Sequence, residues 1–249
     1  MARSNWTNAV ELTVKANLHT KNMAKKYAAE IDECIKASEV IREISPAAPT
    51  GKADISVMDA DTVSAAFMAD GNVTLLNFAS FKHPGGGFIG GAMAQEEALC
   101  HESFLYNVLS TFKDYYDYNN QNKHKGLYEN AAIYSPDVVF EHDGKVKKIN
   151  VITCAAPNNS LGVRYHAFTP EENSKALESR INFVRDIAEQ KGCDTLILGA
   201  FGCGVFRQDP KETAKLFKKA FEKSDIKNIV YAIPKGKNLD KFSEVFKDE

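Results

Sequence analysis

The sequence predicts an α/β layered fold with a largely parallel central sheet. Apolar runs of strand length recur at residues 55–58, 73–78, 151–155, 195–198 and 228–233. Stretches with helical periodicity lie between most of them, and crossover connections of that length join parallel strands. Two of the runs lead directly into glycine-rich loops, the usual place for a ligand at the carboxyl ends of such strands.

The first fifty residues contain no glycine and differ in this from the remainder of the chain. From Lys21 to Ile44 the apolar positions Met23, Tyr27, Ile31, Ile35 and Val40–Ile41 recur at helical spacing, and Pro46 and Pro49 end the pattern. Residues 1–50 read as a helical N-terminal extension packed on a catalytic unit of residues 51–249, with a hinge near residues 45–52. Asp61 can N-cap a helix running through Met68. Residues 94–112 predict one helix, with Leu99, Leu105, Val108 and Leu109 among its apolar positions. The polar stretch 114–125 (DYYDYNNQNKHK) predicts an exposed loop with solvated tyrosines. Strands at 131–134 and 138–140 bracket a Ser-Pro break, and His142-Asp143-Gly144 reads as a hairpin turn. Thr169-Pro170-Glu171-Glu172 is a favourable opening for a helix over 170–191. Helices over 210–223 and 239–246 complete the chain.

Composition narrows the function classes. With 249 residues, 44 % hydrophobic and 26 % charged, the chain can bury a full core without metals or disulfides. Its net charge of -2 gives no global basic field to gather a polyanion, so direct nucleic-acid binding is not expected. A nucleotide-like ligand would have to be held by local amides and a few side chains. Cys34, Cys100, Cys154, Cys193 and Cys203 contain no C-x-x-C pair, which argues against a zinc site or a disulfide framework and for buried free thiols. No clustered His, Asp and Cys set suits a metal, and no cofactor is expected. No stretch resembles a secretion signal or a membrane span, so a cytoplasmic setting is expected.

The first glycine loop runs Asn77-Phe-Ala-Ser80-Phe-Lys-His-Pro-Gly85-Gly86-Gly87-Phe-Ile-Gly-Gly-Ala-Met-Ala-Gln95-Glu96-Glu97. Consecutive glycines admit positive φ and let another group approach the main chain, and amides bared in this way beside a helix start suit phosphate and ribose oxygens. The second loop is Gly199-Ala-Phe-Gly202-Cys203-Gly204-Val205-Phe206. Gly202-Cys-Gly204-Val-Phe-Arg207 breaks the dinucleotide fingerprint G-x-G-x-x-G, and no Gly-Lys-Ser/Thr follows either loop. Gly202, Gly204 and the helix start that follows resemble a diphosphate cradle, a reading that gains weight only beside the first loop. Gln95-Glu96-Glu97 supplies the chemistry. Successive helix positions point about 100° apart, so the two acids are expected to have different roles.

These residues resemble the poly(ADP-ribose) glycohydrolase family, whose signature is a triple glycine followed by Gln-Glu-Glu. The segments LLNFASFKHPGGGFIGGAMAQEEALC, VITCAAPNNS and LGAFGCGVFRQDP are similar to its microbial branch, in the same order. The resemblance implies a macrodomain-like three-layer αβα sandwich with a mixed, largely parallel sheet. It implies exo-type hydrolysis of the ribose–ribose bonds of poly(ADP-ribose), with ADP-ribose as product. Glu97 would be the catalytic acid/base and Glu96 would bond the ribose beside the scissile bond. Gly85, Gly86 and Gly87 would line that ribose and the diphosphate. Gly202, Cys203, Gly204 and Val205 would form the diphosphate loop, and Phe206 would pack near the terminal ribose or adenosine. Outside the microbial branch an Asn stands where this chain has Ser80, so Asn77 or a backbone group is expected to take over that ribose contact.

Glycosidic cleavage passes through an oxocarbenium-like state and needs a proton on the leaving oxygen. Glu97 would donate it and then act as base on the attacking water. A mono(ADP-ribosyl) hydrolase acting on modified protein or nucleic acid would use the same acids. A non-catalytic ADP-ribose reader would need the glycine loops and no acid.

Overall fold

A computed structural model describes the backbone of residues 2–247 and the side chains of residues 9–247. The chain opens with helices α1 (Ala2–Lys26) and α2 (Ala28–Ala37), strands β1 (Glu39–Ile41) and β2 (Asp54–Met58), helix α3 (Thr62–Met68) and strand β3 (Val73–Phe78). After the first glycine loop come three short helices, α4 (Gln95–His101), α5 (Leu105–Leu109) and α6 (Lys113–Gln121). Next is the hairpin of β4 (Ala132–His142) and β5 (Lys145–Cys154), then α7 (Asn159–Tyr165), α8 (Pro170–Lys191), β6 (Thr195–Leu198), α9 (Pro210–Ala220), β7 (Asn228–Ala232) and α10 (Lys237–Phe246).

The seven strands form one sheet in the order β1-β4-β5-β3-β6-β7-β2. Strands β5, β3, β6, β7 and β2 pair in parallel, while β4 runs antiparallel to both its neighbours. Strand residues alternate between faces, which divides the core in two. Leu75, Val151 and Ile197 pack with Ala66, Leu99, Phe104 and Leu109 on one face. Leu76, Ile152, Leu196 and Leu198 pack with Leu177, Ile181, Val184 and Phe217 on the other. Each fully buried side chain of this kind contributes about 1.5–3 kcal/mol, so neither face could be left uncovered. The result is the three-layer α/β sandwich with a mixed, largely parallel sheet.

Four local expectations are corrected. Residues 113–121 are helical, because Tyr115, Tyr116 and Asn119 turn inward on one side, and only Tyr118 of the three tyrosines is exposed. The single helix expected over 94–112 breaks near Ser103, where β4 captures the chain. Ser103 bridges to Phe140, and Glu141 N–H donates to the Glu102 carbonyl at 2.8 Å. Val40 and Ile41 lie in β1 rather than in a helix, which breaks at Tyr27 and stops at Ala37. Strand β4 runs through the Ser-Pro break by shifting register, with Asp137 at φ +54° and its N–H bonded to Asn150 Oδ1. Helix α7 has no sequence counterpart. The predicted cap of α8 is present as a reciprocal pair: Thr169 Oγ1 accepts from Glu172 N and Thr169 N donates to Glu172 Oε2.

The N-terminal helices lie on the face that carries α4 and α5. His19 Nε2 meets the Ser103 carbonyl at 2.9 Å, and Asn107 Nδ2 donates to the Thr20 carbonyl at 3.1 Å. All five cysteines are free thiols. Among the described residues, no helix is long and apolar enough to cross a membrane.

Candidate active site

The site forms where β3 and β6 end side by side and release the two glycine loops. Three consecutive residues at the start of α4 tie these parts together. Gln95 clamps the helix to β3, accepting from Phe78 N at 2.8 Å and donating to the Leu76 carbonyl at 2.8 Å and to Thr62 Oγ1 at 3.3 Å. Glu96 accepts from Ser80 N at 2.7 Å through one oxygen and from Asn77 Nδ2 at 3.3 Å through the other. Glu97 accepts from Gly87 N at 2.7 Å, and its second oxygen accepts from Ala94 N at 2.8 Å, satisfying an otherwise orphaned amide at the helix start.

The glycines are required by space. Gly85 and Gly86 have φ of +65° and +60°. A Cβ on Gly86 would stand 2.5 Å from Glu97 Oε1 and 2.8 Å from Glu96 Oε2, and one on Gly87 would meet Ala92 Cβ at 2.6 Å. In the second loop Gly202 has φ +75°, with Ala156 Cβ and Gln208 Cγ each 2.8 Å from an added Cβ. Gly204 and Val205 are exposed, with open space above Gly204.

Between the loops lies a cavity of about 600 Å³, within the range that holds a nucleotide-sized ligand. Of the residues expected from sequence, Gln95, Gly202, Gly204, Val205 and Phe206 line it. Glu96 and Glu97 are 3 % and 6 % exposed and stand behind its wall, in a hydrogen-bonded cluster with Asn77, Ser80 and the triple glycine. Ser80 Oγ accepts from Lys82 N and His83 N, which shapes the approach to Gly85. Cys203 lies off the cavity, its thiol bonded to Thr213 Oγ1 and pushed up to about 11 by burial.

Sequence reasoning missed the apolar walls. Phe78 and Phe201 face each other with ring centroids 5.6 Å apart and line the cavity with Met93, Ile233 and Pro234. Their signal was positional, since residues at the carboxyl ends of adjacent parallel strands surround the ligand crevice. It also missed the buttress under the first loop, where Asn119 of α6 donates to the Phe81 carbonyl at 3.0 Å. Arg180, buried in α8, similarly holds the carbonyls of Ala155 and Tyr128 behind the site.

Burial is the main reason that Glu96 has its proton affinity raised, to about 8; the bonds from Ser80 N and Asn77 act against this. Below about pH 4.5 the group is protonated folded or unfolded, and its contribution to stability is fully present. As pH climbs from there to about 8, the unfolded chain gives up the proton while the folded chain keeps it, so stability falls. Wild type should therefore lose Tm between about pH 5 and pH 8.5 more steeply than Glu96→Gln, by several degrees in thermal unfolding scans. Parallel curves would show that Glu96 is not a buried neutral acid.

Residues 8–143 match the family model of the microbial-type PARG catalytic domain, where PARG is poly(ADP-ribose) glycohydrolase. The chain belongs to this family. The match takes in the triple glycine and Gln95-Glu96-Glu97 but stops before the second loop. Solved structures extend the likeness across nearly the whole chain. The poly(ADP-ribose) glycohydrolase of Thermomonospora curvata is 26 % identical, with a TM-score of 0.83 over 95 % of this chain and 99 % of that one. The same figures hold for that enzyme bound to the inhibitor ADP-HPD. The poly(ADP-ribose) glycohydrolase of Deinococcus radiodurans in complex with ADP-ribose is 27 % identical, with a TM-score of 0.79 over 88 % of this chain and 98 % of that one. No curated protein sequence matches the chain significantly. This PARG is thus a glycosidase acting on poly(ADP-ribose), built on the fold that its sequence predicts.

Proposed function

We propose that this PARG removes ADP-ribose from the ends of poly(ADP-ribose) chains, with Glu97 as general acid and base. The observation that carries the reading is the close approach of Gly86 to both carboxyl groups. Gly86 carries no side chain, so its backbone lies directly against both carboxyl groups, on the loop that leads into Met93, Ala94 and Gln95 of the cavity wall. A ribose laid against Gly85, Gly86 and Gly87 would meet Glu97 first. Glu97 would pass its proton to the departing 2′ oxygen and then take one from the attacking water. Glu96, anchored by Ser80 N and Asn77, would orient the ribose hydroxyls. In this reading Asn77 and Ser80 act through Glu96, since Asn77 is wholly buried.

The amides of Gly202, Gly204 and Val205 would cradle the diphosphate, whose charge would steady the positive ribose as the bond breaks. Phe206, Phe78 and Phe201 would enclose the remainder of the ADP-ribose unit. Residues 1–50 would belong to the same working unit as residues 51–249, because α1 lies against the end of the first loop and β1 joins the sheet beside β4. A Cβ on Gly91 would come within 2.3 Å of the Ala9 carbonyl. Five free thiols fit a reducing, cytoplasmic setting.

Sizing the products from long polymer at early times tests the exo reading. Free ADP-ribose should accumulate from the outset without short oligomers. Oligomers that appear first and shrink later would reject it.

A further inference from the structure

The net charge of -2 conceals a group of cations on segments joined to both glycine loops. Lys82 stands two residues after Ser80, which bonds Glu96, and Arg207 follows Phe206, which lines the cavity. Lys123 and Lys125 lie in the turn after α6, and Arg164 is on α7. Hydrogen bonds knit these segments into one surface. Asn120 Nδ2 donates to the Lys82 carbonyl at 3.2 Å, and Asn158 N donates to the Gly126 carbonyl at 2.8 Å. Ser160 N donates to the Phe206 carbonyl at 3.1 Å, and Asn159 Nδ2 to the Arg207 carbonyl at 3.0 Å.

Lys123, Lys125, Arg164 and Arg207 are exposed and Lys82 is half-buried. Among the described residues none of the five takes part in an ion pair. Two acids on the same segments are engaged. Glu129 pairs with His124 at 2.7 Å, and Asp209 caps α9. Beside Arg164 the ring of Tyr165 is 65 % exposed, with the guanidinium carbon 5.9 Å from its centroid. Unpaired like charges around a flat aromatic face repel one another until a polyanion bridges them. Cations and stacking rings are also the means by which proteins hold single-stranded nucleic acid without reading its sequence.

We propose that this basic rim binds the ADP-ribose unit that precedes the scissile bond, its cations on the diphosphate and Tyr165 on the adenine. The inference rests on the glycohydrolase reading and adds a substrate preference to it. A polymer places a second diphosphate and a second base on the rim. A single ADP-ribose modification fills only the cleft. The rim therefore makes the enzyme selective for polymer.

The test uses Glu97→Gln protein, so that binding is read without turnover, and fluorescently labelled poly(ADP-ribose) about ten units long. Lys123→Glu, Lys125→Glu and Arg164→Glu are added together to that background. Polymer affinity should fall by about tenfold or more at low salt. The slope of log affinity against log salt should shrink by roughly 0.7 for each phosphate that is no longer neutralised. Affinity for free ADP-ribose should stay within about twofold, which also certifies the fold. Tyr165→Ala should weaken polymer binding several-fold and leave the salt slope alone. Unchanged polymer affinity in the triple variant overturns the rim, and so does a parallel loss of ADP-ribose affinity. Polymer turnover by the wild-type chain is scored separately. A chain that binds polymer through the rim and cleaves none sinks the glycohydrolase reading alone.

Discussion

Glu97→Gln should lower kcat/KM on poly(ADP-ribose) by about 10²–10⁴-fold, the usual worth of a general acid/base, or roughly 3–5 kcal/mol of barrier. Affinity for ADP-ribose should stay within a few-fold, because the cavity is lined by Gln95 and the second loop, while Glu97 stands behind its wall. The substitution keeps the side-chain volume but loses one of two accepted bonds, since the amide oxygen can accept from one of Gly87 N and Ala94 N while the amide nitrogen, a donor, can accept from neither. A lost bond of that kind costs about 1–3 kcal/mol, so Tm should drop by several degrees without unfolding the protein at assay temperature. Steady-state kinetics beside calorimetric titration with ADP-ribose would read both effects. Activity within tenfold of wild type would remove Glu97 from the chemistry.

Gly86→Ala should be nearly as damaging although it adds only a methyl group. The residue has φ +60°, and alanine in that region costs about 1–2 kcal/mol. The new Cβ would also stand 2.5 Å from Glu97 Oε1 and 2.8 Å from Glu96 Oε2, so either the loop or both carboxyl groups must shift. Misplacing reacting groups by about 1 Å costs on the order of 10²-fold in rate, and kcat/KM should fall by at least that factor. Gly90→Ala is the matched control, because nothing lies within 4 Å of its added Cβ. It should behave as wild type in the same polymer assay. A fully active Gly86→Ala would mean that the loop does not pin the carboxyl groups.

The sheet was legible because β3, β6 and most of β5 are buried on both faces and read as predominantly apolar runs, the mark of central parallel strands. The Gly85-Gly86-Gly87 and Gln95-Glu96-Glu97 pairing was legible because it resembles the signature of the poly(ADP-ribose) glycohydrolase family, and clustered glycines before a helix start suit a ligand's oxygens. The features that stayed hidden depend on partners distant in sequence. Helix α6 looked like a loop because its inward face is made of Tyr115, Tyr116 and Asn119. Tertiary burial there overrides a polar composition. The break between α4 and α5 is imposed by the bridge from Ser103 to Phe140 of β4, far along the chain. The pattern also gave no sign that Glu96 and Glu97 would be sealed behind amides, nor that Phe78 and Phe201 would form the wall. Spacing records which face a residue shares and is silent on what the opposite loop brings to it.

The most direct test of the central claim is to incubate the purified chain with poly(ADP-ribose) and quantify free ADP-ribose by chromatography. Catalytic amounts of protein should convert the polymer to ADP-ribose. A folded chain that binds ADP-ribose yet leaves the polymer intact would contradict the claim.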